Sequence, residues 1–169
     1  MIRKSKRKLG KSVGGRDIKS EIRSYMKKVK VELFGYEKIV TESVGKFIEG
    51  EAVQLQVLSN QVSVNITQPN ATIRVFLHAN GQMQRELTMY ELITFFVGSE
   101  TASFPQVVVK VTTGIKAFIT DYTSRRSIDS SELLVCIKFT NDRIVVQSFS
   151  QTGLIEELPV SDLIDFFNK

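Results

Sequence analysis

The chain has 169 residues, 42% of them hydrophobic, which is enough to bury a core and excludes a wholly disordered polypeptide. Residues 1–30 hold twelve lysines and arginines against two acids. Their net charge is therefore +10 within a total of +5, and the other 139 residues carry −5. Such a local cationic segment points to a polyanionic partner, most commonly nucleic acid, with a solubilising tail or an address signal as the alternatives.

Residues 1–16 combine three glycines with dense like charge and few hydrophobic residues, so we expect a disordered basic arm. The polar stretch 10–19 excludes a signal peptide, and no apolar run approaches the about 18 residues needed to cross a bilayer. Cys136 is the only cysteine, which fits a reducing compartment. We therefore expect a cytoplasmic protein that is not secreted and has no membrane partner.

Residues 17–48 form the predicted N-terminal helical segment. From Ile18 to Leu33 hydrophobic residues recur at three- and four-residue spacing, with Asp17 as a plausible N-cap and Gly35 as a plausible stop. The spacing of Val40, Val44 and Phe47 allows a second short helix.

Residues 50–97 form the first predicted repeat, in which the apolar period changes to two. The alternation predicts strands around 53–57, 62–67, 73–78 and 83–87, separated by turn-forming pairs. Thr88 is the expected N-cap of a helix from Met89 to Val97.

Residues 106–169 form the second predicted repeat, after a linker over 98–105. Shifted by 71 positions without a gap, the second repeat places Glu157-Leu158 and Phe166-Phe167 over Glu86-Leu87 and Phe95-Phe96. Two further strands are predicted over 107–111 and 114–122, followed by a loop over 123–131. The fold class that follows is α+β, with two tandem β-β-β-β-α repeats whose antiparallel sheets are packed by helices.

Catalytic chemistry is poorly supported. His78 is the only histidine, and Cys136 has no histidine near it in sequence, so a packing role is favoured over a nucleophilic one. We predict no enzyme, no metal site and no cofactor.

The alternation also predicts a second sheet face that carries aromatic and basic side chains, with polar Gln54, Gln56, Asn65 and Thr67 around them. Exposed aromatic rings beside cations on a sheet are typical of single-strand binding, since bases stack on the rings while the cations meet phosphate. Burial of the same rings against the N-terminal helix or a dimer partner explains the pattern equally well. The candidate nucleic-acid-binding residues, including the arm, are Arg3, Lys4, Lys6, Arg7, Lys8, Lys11, Arg16, Arg74, Phe76, His78, Lys116, Phe118, Arg125, Arg126, Lys138 and Phe149.

Two units that each end in an L-I-x-F-F-type helix resemble the repeats of the Pur-alpha and Whirly proteins. The resemblance covers about residues 50–169. With its basic arm, the chain is also similar to the Whirly-like RNA-binding proteins of nucleus-forming jumbo phages. It implies a non-enzymatic protein that binds single-stranded RNA or DNA on its sheets and forms a homodimer or small homo-oligomer. Two alternatives are a viral structural or coat protein with a nucleic-acid-binding arm, and a protein-interaction module with an incidental tail.

Overall fold

The computed structural model describes the backbone of residues 18–164 and the side chains of residues 37–163. Contacts divide the chain into two units, Met1–Tyr36 and Glu37–Lys169. The predicted basic arm, residues 1–16, lies outside the described residues. All side-chain contacts below belong to the second unit.

The first element is a single long helix, α1, from Ile18 to Leu55. Three predictions are therefore wrong: the stop at Gly35, the separate second helix and the strand over 53–57. The helical period explains the error, because Val40, Val44, Ile48 and Ala52 are all buried at four-residue spacing. This buried stripe favours a helix more strongly than the short alternation of Val53, Leu55 and Val57 favours a strand.

Helix α1 ends in a Schellman motif. The N–H of Val57 donates to the carbonyl of Ala52, the N–H of Gln56 donates to the carbonyl of Val53, and Gln56 has a left-handed φ of 58°. A 3₁₀ turn, Ser59–Gln61, then leads into the sheet.

The next elements confirm the sequence interpretation. Strands β1 (Val62–Thr67), β2 (Arg74–Ala79) and β3 (Gln82–Leu87) are followed by helix α2 (Met89–Val97). The hydroxyl of Thr88 accepts the N–H of Glu91, and the Glu91 carboxylate accepts the N–H of Thr88, so the expected N-cap is a full capping box.

Residues 105–125 contradict the prediction of two strands. The predicted linker contains a short helix, α3 (Ser99–Ala102), and helix α4 runs from Pro105 to Arg125. Its β-branched residues favour a strand locally, but packing decides the outcome. The buried side chains lie on one helical stripe, which consists of Val111, Ile115, Phe118, Ile119 and Tyr122.

After α4 the chain repeats the earlier order. A 3₁₀ turn (Ser130–Glu132) leads to strands β4 (Leu134–Thr140), β5 (Arg143–Ser150) and β6 (Gly153–Leu158), and then to helix α5 (Val160–Ile164). Within residues 18–164 each half thus contributes three strands, and the predicted count of four is wrong. The α+β class itself is confirmed.

The six strands form one antiparallel sheet in the order β3-β2-β1-β4-β5-β6. The halves meet where β1 pairs with β4, and Asn65 lies directly opposite Cys136, 71 positions further along the chain. Strand pairs that correspond at this offset of 71 positions have the same register: Val75 lies opposite Leu87, and Val146 lies opposite Leu158. The registers therefore relate the two halves by a local two-fold axis at the Asn65–Cys136 pair.

Irregular features recur at the same spacing. The register of β2 with β3 shifts between Leu77 and His78, and that of β5 with β6 shifts between Ser148 and Phe149. Helix α4 ends in the same Schellman hydrogen bonds as α1, with Ser127 in the left-handed conformation in place of Gln56. Local backbone conformation, and not only element order, is thus common to both halves.

The core lies between one sheet face, here called the inner face, and the helices. The strand residues on this face alternate with those on the opposite face of the sheet and are almost completely buried. Most of the residues of α2 are buried as well. At one contact the hydroxyls of Tyr122 on α4 and Ser148 on β5 lie 2.6 Å apart in a buried hydrogen bond. The inner-face residues are Val62, Val64, Ile66, Val75, Leu77, Ala79, Val135, Ile137, Phe139, Ile144, Val146 and Ser148.

Helix α1 packs tightly against the inner face at Gly45, where a Cβ atom would lie 2.8 Å from Cζ of Phe139. We expect Gly45→Ala to destabilise the fold by about 1–2 kcal/mol, because overpacking against a buried ring exceeds the gain in helix propensity. Gly50 in the same helix has no atom within 4 Å of such a Cβ, so Gly50→Ala should instead stabilise by about 0.5–1 kcal/mol. Urea unfolding of both variants checks the signs, and equal signs would contradict this account.

Candidate nucleic-acid interface

The opposite side of the sheet is here called the outer face. Its side chains alternate with those of the inner face, and most are half-buried, with Arg74 exposed and Asn65 and Cys136 buried at the centre. Its members on β1, β2, β4 and β5, read from the registers, are Ser63, Asn65, Thr67, Arg74, Phe76, His78, Leu134, Cys136, Lys138, Thr140, Arg143, Val145, Gln147 and Phe149.

Five of the predicted site residues lie together on this face, and two of the predicted polar neighbours, Asn65 and Thr67, lie beside them. Phe76 and Phe149 are half-buried, so neither ring is sealed in the core. The predicted neighbours Gln54 and Gln56 lie in α1 and directly after it, and that placement was wrong. The five residues are Arg74, Phe76, His78, Lys138 and Phe149.

The predicted sheet positions of Lys116 and Phe118 are wrong, because both residues belong to α4. Phe118 is only 6% exposed and its ring stacks on Tyr122 with centroids 5.7 Å apart, so it is a core residue. Lys116 is exposed on the helix.

Arg125 and Arg126 lie at the end of α4 rather than in a loop. Arg125 pairs with Asp121 one turn earlier, at 2.7 Å. Arg126 lies 3.6 Å above the centre of the Tyr122 ring and donates to Glu156 at 2.9 Å. These contacts give Arg126 a structural role in joining α4 to β6.

Arg74 and Phe76 form a pre-arranged pair on the outer face. The guanidinium carbon of Arg74 lies 5.1 Å from the centre of the Phe76 ring, and Glu86 on β3 accepts two hydrogen bonds from Arg74, at 2.7 and 3.0 Å. The hydrogen bonds and charge of Glu86 raise the pKa of Arg74 above its ordinary value, so the guanidinium stays charged. The pair presents a ring and a cation at one edge of the face.

A hollow of about 480 Å³ lies over the middle of the outer face. This volume falls within the range of about 300–1,000 Å³ that is typical of small-ligand sites. Its floor and walls include Ser63, Asn65, His78, Cys136, Lys138 and Phe149.

Asn65 and His78 are held together inside the hollow. Nδ2 of Asn65 lies 2.7 Å from Nδ1 of His78 and 3.2 Å from Oγ of Ser63. Because an amide nitrogen can only donate, Nδ1 of His78 accepts, and the ring proton lies on Nε2. Sequence reasoning treated Asn65 as a polar neighbour and missed this cluster, although the alternation with Val64 had placed it on the correct face.

Cys136 forms part of the floor of the hollow. Burial raises the pKa of its thiol, although the charge of Lys138 and a hydrogen bond with Ser63 act in the opposite direction. The thiol is therefore protonated at neutral pH, which disfavours a nucleophilic role. This agrees with the packing role that the sequence favours.

Charge on the outer face is nearly balanced. The three cations Arg74, Lys138 and Arg143 are accompanied by Glu86 and by Glu157, which lies opposite Gln147. The face alone therefore provides little net attraction for a polyanion.

No family model matches the chain, and neither a curated protein nor a solved structure matches it. The part of the chain that the structure describes has no helix able to span a membrane. Within the same residues, no three His, Cys, Asp or Glu side chains form a group that could hold a metal ion.

Proposed function

We propose that this chain is a non-enzymatic protein that binds single-stranded RNA or DNA across the outer face, with the basic arm contacting phosphates. One observation carries the proposal: two half-buried aromatic rings and three cations share a face that also contains a hollow of ligand size. Antiparallel sheets with one face away from the core are the usual platform for base stacking.

The energetics support a strand that crosses the face. Each base stacked on an aromatic ring contributes about 1–3 kcal/mol, without requiring a particular sequence. Phe76, next to Arg74, and Phe149, next to the hollow, provide two such positions. Contacts between phosphates and the arm would add a salt-dependent term that the nearly neutral face lacks.

We also infer that the chain arose by internal duplication of an α-β-β-β-α unit. The registers, the two strand irregularities and the two Schellman motifs, all repeated 71 residues apart, support this inference. The unit differs from the Pur-alpha and Whirly repeats in having three strands preceded by a helix. Kinship with those families stays a prediction.

The proposal is tested by binding of an unstructured oligonucleotide at about 150 mM salt, followed by fluorescence anisotropy. Phe76→Ala and Phe149→Ala are each expected to raise Kd by about 5- to 100-fold, since each removes one stacking ring. Duplex of the same length should bind more weakly than single strand, because its bases are not free to stack.

Tyr90→Ala is the matched control, because Tyr90 is an aromatic residue that is 51% exposed on α2, away from the outer face. Its affinity should equal that of the unmodified protein. If neither phenylalanine variant binds more weakly than the control, stacking on the outer face is ruled out.

A further inference from the structure

The two halves differ where they face away from the core. On the inner face, several residues 71 positions apart are identical, as in Val64 and Val135, Ile66 and Ile137, and Val75 and Val146, whereas Leu77 corresponds to Ser148. On the outer face the same spacing relates unlike residues, namely Ser63 and Leu134, Asn65 and Cys136, and His78 and Phe149. The polar set of Ser63, Asn65 and His78 therefore belongs to the first half alone.

This difference makes the hollow asymmetric. Ser63, Asn65 and His78 line one part of it with hydrogen-bonding groups, whereas Leu134 and Phe149 line another part with apolar surface. A symmetric or purely apolar partner would not use both parts. A nucleotide strand would, because each base has a polar edge and an apolar face.

Asn65 has one unused hydrogen-bonding atom. Its side chain is only 5% exposed and its Nδ2 is engaged with His78 and Ser63, but its Oδ1 forms no hydrogen bond with the described residues. Oδ1 is not among the buried atoms that lack a partner, so it is accessible from the hollow that Asn65 lines, where a ligand or water can supply a donor. Oδ1 therefore indicates where a donor on the ligand belongs.

We propose, on the basis of the single-strand binding proposed above, that the hollow selects bases with an exocyclic amino group beside an unprotonated ring nitrogen, adenine and cytosine. The amino group projects beyond the ring and can donate to Oδ1 of Asn65. Thymine and uracil present carbonyl oxygens on both sides of their ring N–H, and these oxygens would meet Oδ1 with like partial charge. Nε2–H of His78 is available to donate to a ring nitrogen.

The hollow accommodates more than one nucleotide. Three strand spacings of about 4.8 Å separate β2, which carries His78, from β5, which carries Phe149, so these side chains are roughly 14 Å apart or more. One base at Asn65 and His78 leaves room for a neighbouring base to stack on Phe149. Lys138, on β4 between them, is placed to meet the connecting phosphate.

The test measures Kd of the full chain for oligomers of about 12 nucleotides that contain only adenine, only cytosine or only thymine. The adenine and cytosine strands are expected to bind about tenfold more tightly than the thymine strand. In Asn65→Ala this gap should close to within about twofold, with the affinity for thymine unchanged. Asn65→Val is the second variant, and thermal unfolding shows which of the two retains the fold.

Gln147→Leu is the control, because Gln147 is an amide on the outer face that does not line the hollow. It should preserve the gap between the bases. Equal binding of all three strands by the unmodified chain, or a gap that survives both Asn65 variants, would overturn base selection and leave single-strand binding intact. Failure to bind any strand would overturn both proposals.

Discussion

Removal of residues 1–16 is expected to weaken single-strand binding by about a thousandfold at 150 mM salt. Seven cations are lost with this segment, while the outer face that remains is nearly balanced in charge. Each phosphate contact on a single strand contributes roughly 0.7 to the slope of log K against log salt. If every one of the lost cations neutralises one phosphate, the slope should become less steep by about 5. The seven are Arg3, Lys4, Lys6, Arg7, Lys8, Lys11 and Arg16.

The measurement is a salt titration of Kd for the full and shortened chains. A third chain, in which the order of residues 2–16 is scrambled, should bind like the full chain, because counterion release depends on charge and not on sequence. The two curves should converge at high salt, where stacking on the outer face dominates. A slope that does not change on truncation would show that the arm makes no phosphate contacts.

Phe95→Ala is expected to reduce the free energy of unfolding by about 3–5 kcal/mol. The Phe95 ring is completely buried, and its centroid lies 5.3 Å from that of Phe47 on α1 and 5.1 Å from that of Phe96. Truncation would remove both aromatic contacts and leave a cavity at the junction of α1 and α2.

Urea unfolding with an unchanged m-value checks this prediction. Tyr90→Ala on the same helix is again the control and should change the free energy of unfolding by no more than about 0.5 kcal/mol, since Tyr90 is exposed. A loss below about 1 kcal/mol in Phe95→Ala would mean that α2 is not part of the core.

The sequence predicted the elements whose local and tertiary preferences agree. Strands β1, β2 and β3 alternate over several residues between turn-forming pairs, and the capping box at Thr88 defines the start of α2. In the second half, the offset of 71 residues predicted the same elements. The offset also relates Phe47-Ile48 on α1 to Phe118-Ile119 on α4, and this signal would have extended the similarity of the two halves into the elements that precede their strands.

The errors occurred where local preferences conflict with packing. Valines at 107–109 and 111 favour a strand, yet the four- and three-residue spacing from Val111 to Tyr122 makes one buried helical face. The same conflict explains the predicted strand over 53–57, of which residues 53–55 form the end of α1 and the other two follow it. Phe118 moved from the predicted ring-bearing face into the core as a direct consequence.

The sequence by itself determined the α+β class, the strands of the sheet, the positive charge of the basic arm and the five outer-face residues that alternation places together. The tertiary structure decided that both halves begin with a helix and that their strands join into one sheet through β1 and β4. It also created the hollow around Asn65, because that cluster depends on the register between strands. A strand's own alternation specifies which side chains share a face, whereas only pairing between strands specifies which of them meet.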